Sequence, residues 1–110
     1  MASRHSWSDD DNLIAYYLYR FGDGELSVTK KELGDILGMG IGSLSYKIGN
    51  FKAIDGQGDL DGYSYQAVRI YKQYSGLLDE EAKIAGQEAV IRALERRINS
   101  RKAKQAQQKP

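Results

Sequence analysis

Apolar residues recur at steps of three and four along most of the chain, which is the spacing of amphipathic helices. The first such run precedes Gly22, and its apolar positions are Leu13, Ile14, Tyr17, Leu18 and Phe21. Ser8 is placed to cap the first turn, and Asp11 is placed to reach back to the Ser8 amide in a capping box. The pattern therefore predicts a first helix that begins just after Ser8.

A second, shorter helix is predicted to begin at Thr29, which can form another capping box with Glu32. Gly38 is suited to the left-handed conformation that ends a helix. Gly34 lies in the middle of this helix, and its lack of a side chain would let the next helix cross closely.

A third helix is predicted from Ser43, as its cap, to Phe51, with Leu44 and Ile48 facing inward. Its outward face is expected to carry Ser45, Tyr46, Lys47, Gly49 and Asn50. Gly49 weakens a helix by about 1 kcal/mol relative to alanine. This cost indicates that something approaches the backbone closely at Gly49, either another helix or a ligand.

The remainder of the chain predicts a loop and two more helices. Asp55 to Gly62 is rich in glycine and aspartate and is typical of a loop, and a fourth helix is predicted from about Ser64 to Tyr74. Asp79 is expected to cap a fifth, long helix that runs toward Arg101. Beyond Ser100 no apolar residue supports the helix, so we expect the chain to fray there.

The fifth helix carries an apolar stripe at heptad positions, interrupted by Gln87. The stripe consists of Ile84, Ile91, Leu94 and Ile98. Two interpretations are open: the stripe packs on the chain's own helices, or it pairs with a second copy in a homodimer.

These elements predict an all-α protein with a trihelical helix-turn-helix core, a fourth helix and a long basic C-terminal helix. We expect a helix-turn-helix domain over residues 1–78 and the C-terminal helix with its basic, partly disordered tail over residues 79–110. The residues expected to be buried together in the trihelical core are Trp7, Leu13, Tyr17, Leu33, Leu37, Leu44, Ile48 and Phe51.

Charge is distributed unevenly along the chain. Of the net charge of +1, the segment from Arg92 to Pro110 carries +6, from seven basic residues and one acidic residue, which leaves −5 for the rest. Attraction to phosphates is therefore expected mainly at the C-terminal end. The sequence has no apolar run of about 18 residues and no secretory signal, so we expect a cytoplasmic protein with no membrane contact.

The chain has few of the residue types that enzymes use as nucleophiles, bases and metal ligands. The chain has no cysteine, and its single histidine is His5. A nucleophile paired with a base, or a histidine-rich metal site, would have to depend on that one side chain. We therefore expect no enzymatic activity, no catalytic residues, no metal site and no cofactor.

Double-stranded DNA is the ligand that a helix-turn-helix most often binds, with its second helix in the major groove. The side chains expected to face DNA are Ser43, Ser45, Tyr46, Lys47 and Asn50. Asn50 suits adenine, and Lys47 suits guanine or a phosphate. The residues expected to contact phosphates are Lys30, Lys31, Lys52, Arg96, Arg97, Arg101, Lys102 and Lys104.

The net charge of −5 outside the C-terminal segment favours a second hypothesis. Most DNA-binding domains present a broad positive face. The chain could instead be a protein-interaction module, such as a phage-encoded inhibitor or adaptor, that uses the same trihelical body to bind another protein.

Particular segments also resemble known families. The run from Trp7 to Asp11, followed by an aromatic-rich helix, resembles the start of Myb-like and SANT-like domains. Gly42 to Phe51, then Asp55 and Gly56, then Tyr63 to Tyr65, resemble the N-terminal helical domain that precedes the HNH nuclease domain in bacterial restriction-type proteins.

The second resemblance covers about residues 7–78 and implies DNA association in prokaryotic or phage defence. Lys47 and Asn50 are its matched polar positions. The chain departs from that family because no nuclease domain follows, so the resemblance implies DNA binding without cleavage. Our first hypothesis is wider: a DNA-binding protein of a bacterium or phage that acts in regulation, genome organisation or defence.

Overall fold

The computed structural model of the chain describes residues 6–57 and 63–108. Over these ranges the chain forms helices and no strand, which confirms the predicted all-α class. The helices are α1 (Asp9–Phe21), α2 (Lys30–Ile36), α3 (Gly40–Gln57), α4 (Tyr65–Ser75) and α5 (Asp79–Gln108). His5 and residues 58–62 of the predicted loop lie outside the described residues.

Two predicted capping boxes set the starts of the first two helices. The Asp11 backbone N–H donates to the Ser8 hydroxyl at 3.0 Å, and the Ser8 N–H donates to the Asp11 carboxylate at 3.1 Å. The Thr29 and Glu32 pair makes the same reciprocal bonds, at 3.1 and 3.0 Å. Each box satisfies two amides that have no partner within their own helix.

The core forms around α1, which contacts α3, α4 and α5. Five of the residues predicted for the trihelical core are buried, namely Leu13, Tyr17, Leu33, Leu44 and Phe51, and the other three, Trp7, Leu37 and Ile48, are partly buried against them. The same core also takes in Ala89, Val90 and Ala93 of α5. Residues on both sides of the predicted division at Leu78 therefore share one core, while the division itself stays a prediction.

Four helix boundaries, both ends of α3 and both ends of α5, differ from the sequence-based ones. α3 begins at Gly40, so Ser43 lies inside the helix and does not cap it, and the helix continues to Gln57 through the start of the predicted loop. α5 begins at Asp79 itself, and the Leu78 carbonyl accepts the first bond, from the Ala82 N–H at 3.0 Å. α5 also continues to Gln108 instead of fraying after Ser100. Alanine, lysine, arginine and glutamine in this last stretch favour helix without any apolar partner.

Asp55 anchors the far end of α3 to its neighbours. The Tyr71 hydroxyl donates to one oxygen of the Asp55 carboxylate at 2.7 Å, and the Tyr19 hydroxyl donates to the other. Both bonds lower the pKa of Asp55, and the bond from Tyr19 has the larger effect. The bond to Asp55 in turn raises the pKa of Tyr19 to about 12. The cluster therefore joins the last turns of α3 to α1 and α4.

Candidate nucleic-acid interface

The connection between α2 and α3 is as tight as the sequence predicts. An added Cβ at Gly34, which is buried, would lie 2.8 Å from both the Gly40 carbonyl carbon and the Ile41 nitrogen. Gly38 and Gly40 have φ values of 77° and 79°, a region that favours glycine. The Met39 N–H closes the turn by donating to the Gly34 carbonyl at 3.1 Å. Glycines at these positions let α3 start directly against the middle of α2.

The outward face of α3 is made mainly of small residues. Gly42, Tyr46 and Gly49 follow one another at steps of four and three, so they share one face of the helix. Tyr46 is 73% exposed. Apart from the neighbouring backbone of α3 itself, an added Cβ at Gly42 or Gly49 would meet no described atom within 4 Å. Of the two predicted reasons for Gly49, close approach by another described helix of this chain is therefore wrong.

Polar residues border this face on both sides. By helical spacing, Ser43 and Asn50 lie along one side, and Ser45 and Lys52 lie along the other. Ser43 and Lys52 are exposed, while Ser45 and Asn50 are half-buried. We call the surface formed by Gly42, Ser43, Ser45, Tyr46, Gly49, Asn50 and Lys52 the α3 face. It combines hydrogen-bonding groups with a central strip that a ligand can approach closely.

Lys47 does not belong to the α3 face, which corrects the prediction that it points outward. Its side chain is buried, with Nζ 4.8 Å from the centre of the Trp7 ring. Burial lowers the pKa of Lys47. Lys47 follows Leu44 by three residues and precedes Phe51 by four, so it occupies the inner side of α3 between two core residues. It therefore packs the segment before α1 against α3 and does not lie on the outward face predicted for it.

Replacing Lys47 with methionine is expected to leave DNA affinity unchanged, because the ammonium faces Trp7 and not the exterior. Methionine keeps most of the buried volume and removes the desolvated charge, so stability should stay the same or rise. Lys47→Ala, in contrast, should lower stability through lost packing. Binding isotherms and urea denaturation of both variants check this. If Lys47→Met bound DNA more weakly while keeping its full helical content, the result would show that the Lys47 ammonium contacts DNA.

The basic residues of α5 do not form one surface. Asp10 accepts two bonds from Arg92, both at 2.9 Å, and one from Arg96 at 3.3 Å. The bond from Arg92 is the main cause of the lowered pKa of Asp10. The Arg97 guanidinium donates to the Asp35 carbonyl at 3.2 Å. Arg96 and Arg97, although exposed, thus make bonds within the chain that a phosphate would have to share or replace.

The other predicted phosphate contacts lie in different places. Arg101 and Lys102 follow Ile98 by three and four residues, so they share its face of α5. Lys104 follows Arg97 by seven and lies on the side of α5 that contacts α2. Lys30 is half-buried, and Lys31 is exposed. Exposed positive charge near the α2 and α3 turn therefore comes from few residues.

A groove of about 660 Å³ lies beside the α2 end of the turn. It is bordered by Ser8 to Asp11 of the α1 start, Ile36 and Leu37, and Arg96, Arg97 and Ser100 of α5. Carboxylates and guanidinium groups share its walls, which gives it no single charge.

No three histidine, cysteine, aspartate or glutamate residues of the described ranges are grouped so that they could hold a metal ion. None of the described helices combines the length and apolar character needed to cross a bilayer.

Compared with known proteins, the chain matches no family model, no curated protein and no solved structure. The resemblance to the helical domain of HNH restriction-type proteins therefore stays a prediction from the sequence.

Proposed function

We propose that the chain is a non-catalytic DNA-binding protein that inserts α3 into the major groove of a duplex, with the α3 face against the bases. The observation that carries this proposal is the open strip along α3. Gly49, inside α3, weakens the helix by about 1 kcal/mol relative to alanine, and Gly42 lies in the first turn, yet no other element of the described chain packs against either glycine. Close approach of a ligand to the helix backbone would account for both glycines.

The residues that border the strip supply the groups that duplex recognition needs. Asn50 can bond both N6 and N7 of adenine, and Ser43 and Ser45 can donate to or accept from several base edges. Tyr46 is exposed enough to contact either a thymine methyl group or the sugar and phosphate backbone. Lys52 and Lys31 are exposed and suit phosphates.

Two basic residues on one side of α5 support the same orientation. The bond from Arg97 to Asp35 holds α5 beside the last turn of α2, close to the turn that leads into α3. Lys104 lies on the same side of α5, one heptad further along. A duplex on the α3 face would therefore find additional positive charge at the end of α5, which strengthens binding without reading sequence.

A second candidate is a protein-interaction module of bacterial or phage origin. Ile41 is 43% exposed at the start of α3, and the residues before Arg92 carry a net charge of −5. Both features suit a protein partner better than DNA. A partner that stays bound to the immobilised protein after nuclease treatment supports this candidate, and a partner lost with nuclease supports the first.

The first candidate is tested by comparing two exposed tyrosines. Tyr46 lies on the α3 face, and Tyr65, 83% exposed at the start of α4, is its matched control. We expect Tyr46→Ala and Asn50→Ala each to weaken binding by about 1 kcal/mol, roughly fivefold in Kd, and Tyr65→Ala to leave it unchanged.

The measurement is fluorescence anisotropy with mixed-sequence duplexes at low salt, repeated as salt rises. Affinity should fall steeply with added salt for the wild type. Absence of any complex at low salt, or equal affinity of the Tyr46 and Tyr65 variants, contradicts the proposal.

A further inference from the structure

Three isoleucines of α5 remain exposed at intervals of one heptad. Ile84, Ile91 and Ile98 are 57%, 53% and 52% exposed. α5 packs on α1 through the opposite side, where Ala82, Gly86, Ala89 and Ala93 are buried. The interpretation that the isoleucine stripe packs on the chain's own helices is therefore wrong for the described residues.

Leu94, the fourth member of the predicted stripe, behaves differently. It is half-buried and packs against the core. The exposed stripe thus consists of a single heptad position repeated three times and spans about 21 Å at the usual rise of an α-helix. Isolated exposed isoleucines are ordinary, but three in line along one helix form a continuous apolar seam.

Charges along the same face change sign from one end to the other. Glu80, Glu81, Glu88 and Glu95 are exposed along this face up to the last turn before Ile98, while Arg101 and Lys102 are exposed after Ile98. Two copies of α5 side by side in parallel would place like charges together at both ends. An antiparallel pair would place Glu80 and Glu81 of one copy beside the arginine and lysine of the other.

We propose that the chain forms a homodimer in which α5 pairs antiparallel with α5 of a second copy, through the isoleucine seam. Ile91 lies at the two-fold axis and faces Ile91 of the other copy, and Ile84 faces Ile98. The occupant is a second copy because the seam is symmetric about Ile91 and the charges at its two ends are complementary in an antiparallel pair. The dimer does not depend on DNA binding and leaves the α3 face free.

The absence of cysteine allows a direct test of orientation by single introduced cysteines. Disulfides need Cα atoms about 4.4 to 6.8 Å apart. Under mild oxidation we expect Ile91→Cys to cross-link to itself. Ile84→Cys should not cross-link to itself, but should cross-link to Ile98→Cys when the two variants are mixed. Gln73→Cys, exposed on α4, is the control and should not cross-link.

Any other pattern of cross-links among the cysteine variants contradicts the proposal. Self-linking of all three stripe variants shows a parallel pair, and no linking beyond the Gln73→Cys control shows that the seam does not meet a second copy.

Sedimentation equilibrium gives an independent reading: the wild type should have twice the chain mass and Ile91→Glu the monomer mass, with unchanged circular dichroism. Asn99→Glu, also exposed on α5 but turned away from the seam by its position, should remain dimeric. A monomeric wild type at the highest soluble concentration contradicts the dimer.

Discussion

Gly86→Ala is expected to lower the free energy of unfolding by about 2 kcal/mol, although alanine is the better helix former. An added Cβ at Gly86 would lie 2.8 Å from both Cβ and Cγ of Tyr17, which is 1% exposed. Because these atoms are close to the α1 backbone, relief requires α1 and α5 to move apart. Overpacking of this kind costs up to about 3 kcal/mol, and the gain in helix propensity offsets about 1 kcal/mol of it.

Gly49→Ala is the matched control, since Gly49 is also helical but an added Cβ there would meet no described atom within 4 Å beyond the neighbouring backbone of α3. It should raise stability by about 1 kcal/mol. Urea denaturation followed by circular dichroism measures both variants. Opposite signs for the two glycines support the packing described, and stabilisation by Gly86→Ala would show that α5 does not cross α1 at Tyr17.

Arg20→Met is expected to destabilise the protein by about 3 kcal/mol, because charged hydrogen bonds inside a fold contribute about 1.5 to 3 kcal/mol each. The Arg20 guanidinium donates to the Tyr74 carbonyl at 3.0 Å and to the Leu77 carbonyl at 2.9 Å. It also bonds the Asp79 carboxylate at 2.7 Å, and its side chain is only 19% exposed. Methionine would leave the Tyr74 carbonyl in the last turn of α4 and the Leu77 carbonyl before α5 without this donor.

Arg69→Met provides the comparison for this substitution. Arg69 pairs with Asp9 on the surface, where the two side chains are 39% and 57% exposed. Exposed ion pairs contribute at most about 1 kcal/mol. Thermal or urea unfolding should therefore show a much smaller loss for Arg69→Met than for Arg20→Met. Equal losses would mean that Arg20 does not hold the α4 and α5 connection.

Features determined by a few neighbouring residues could be predicted from the sequence. Both capping boxes need only side chains three residues apart, and both are present. The role of Gly34 was also predictable, because a glycine inside a short helix just before a turn indicates a close crossing. The exposure of Tyr46 follows from its position opposite Leu44 and Phe51.

Lys47 shows where local reasoning failed. A charged side chain on a proposed recognition helix favours an outward position, and the prediction gave this preference more weight than the helical spacing. The spacing contained the correct signal, since Lys47, Phe51 and Ile54 follow one another at steps of four and three. The nearby Trp7 ring makes burial of the ammonium tolerable.

The side of α5 that packs inward could not be predicted, because alanine and glycine give little hydrophobic signal. The isoleucines dominate the hydrophobic pattern of α5, whereas the helix packs through small residues that permit a close crossing with α1. The bonds that Asp10, Asp55 and Arg20 make to other helices and loops join residues that are 16 to 86 positions apart, with no local pattern to indicate them.

The most direct test of the account is the amide NMR spectrum of the protein during titration with a mixed-sequence duplex at low salt. If α3 enters the major groove, the largest shifts should fall on the α3 face, at Gly42, Tyr46, Gly49 and Asn50. Smaller shifts are expected at Lys104, and none at Ile84 or Ile91. Shifts confined to the outward side of α5, or no shifts at all, would contradict DNA recognition by α3.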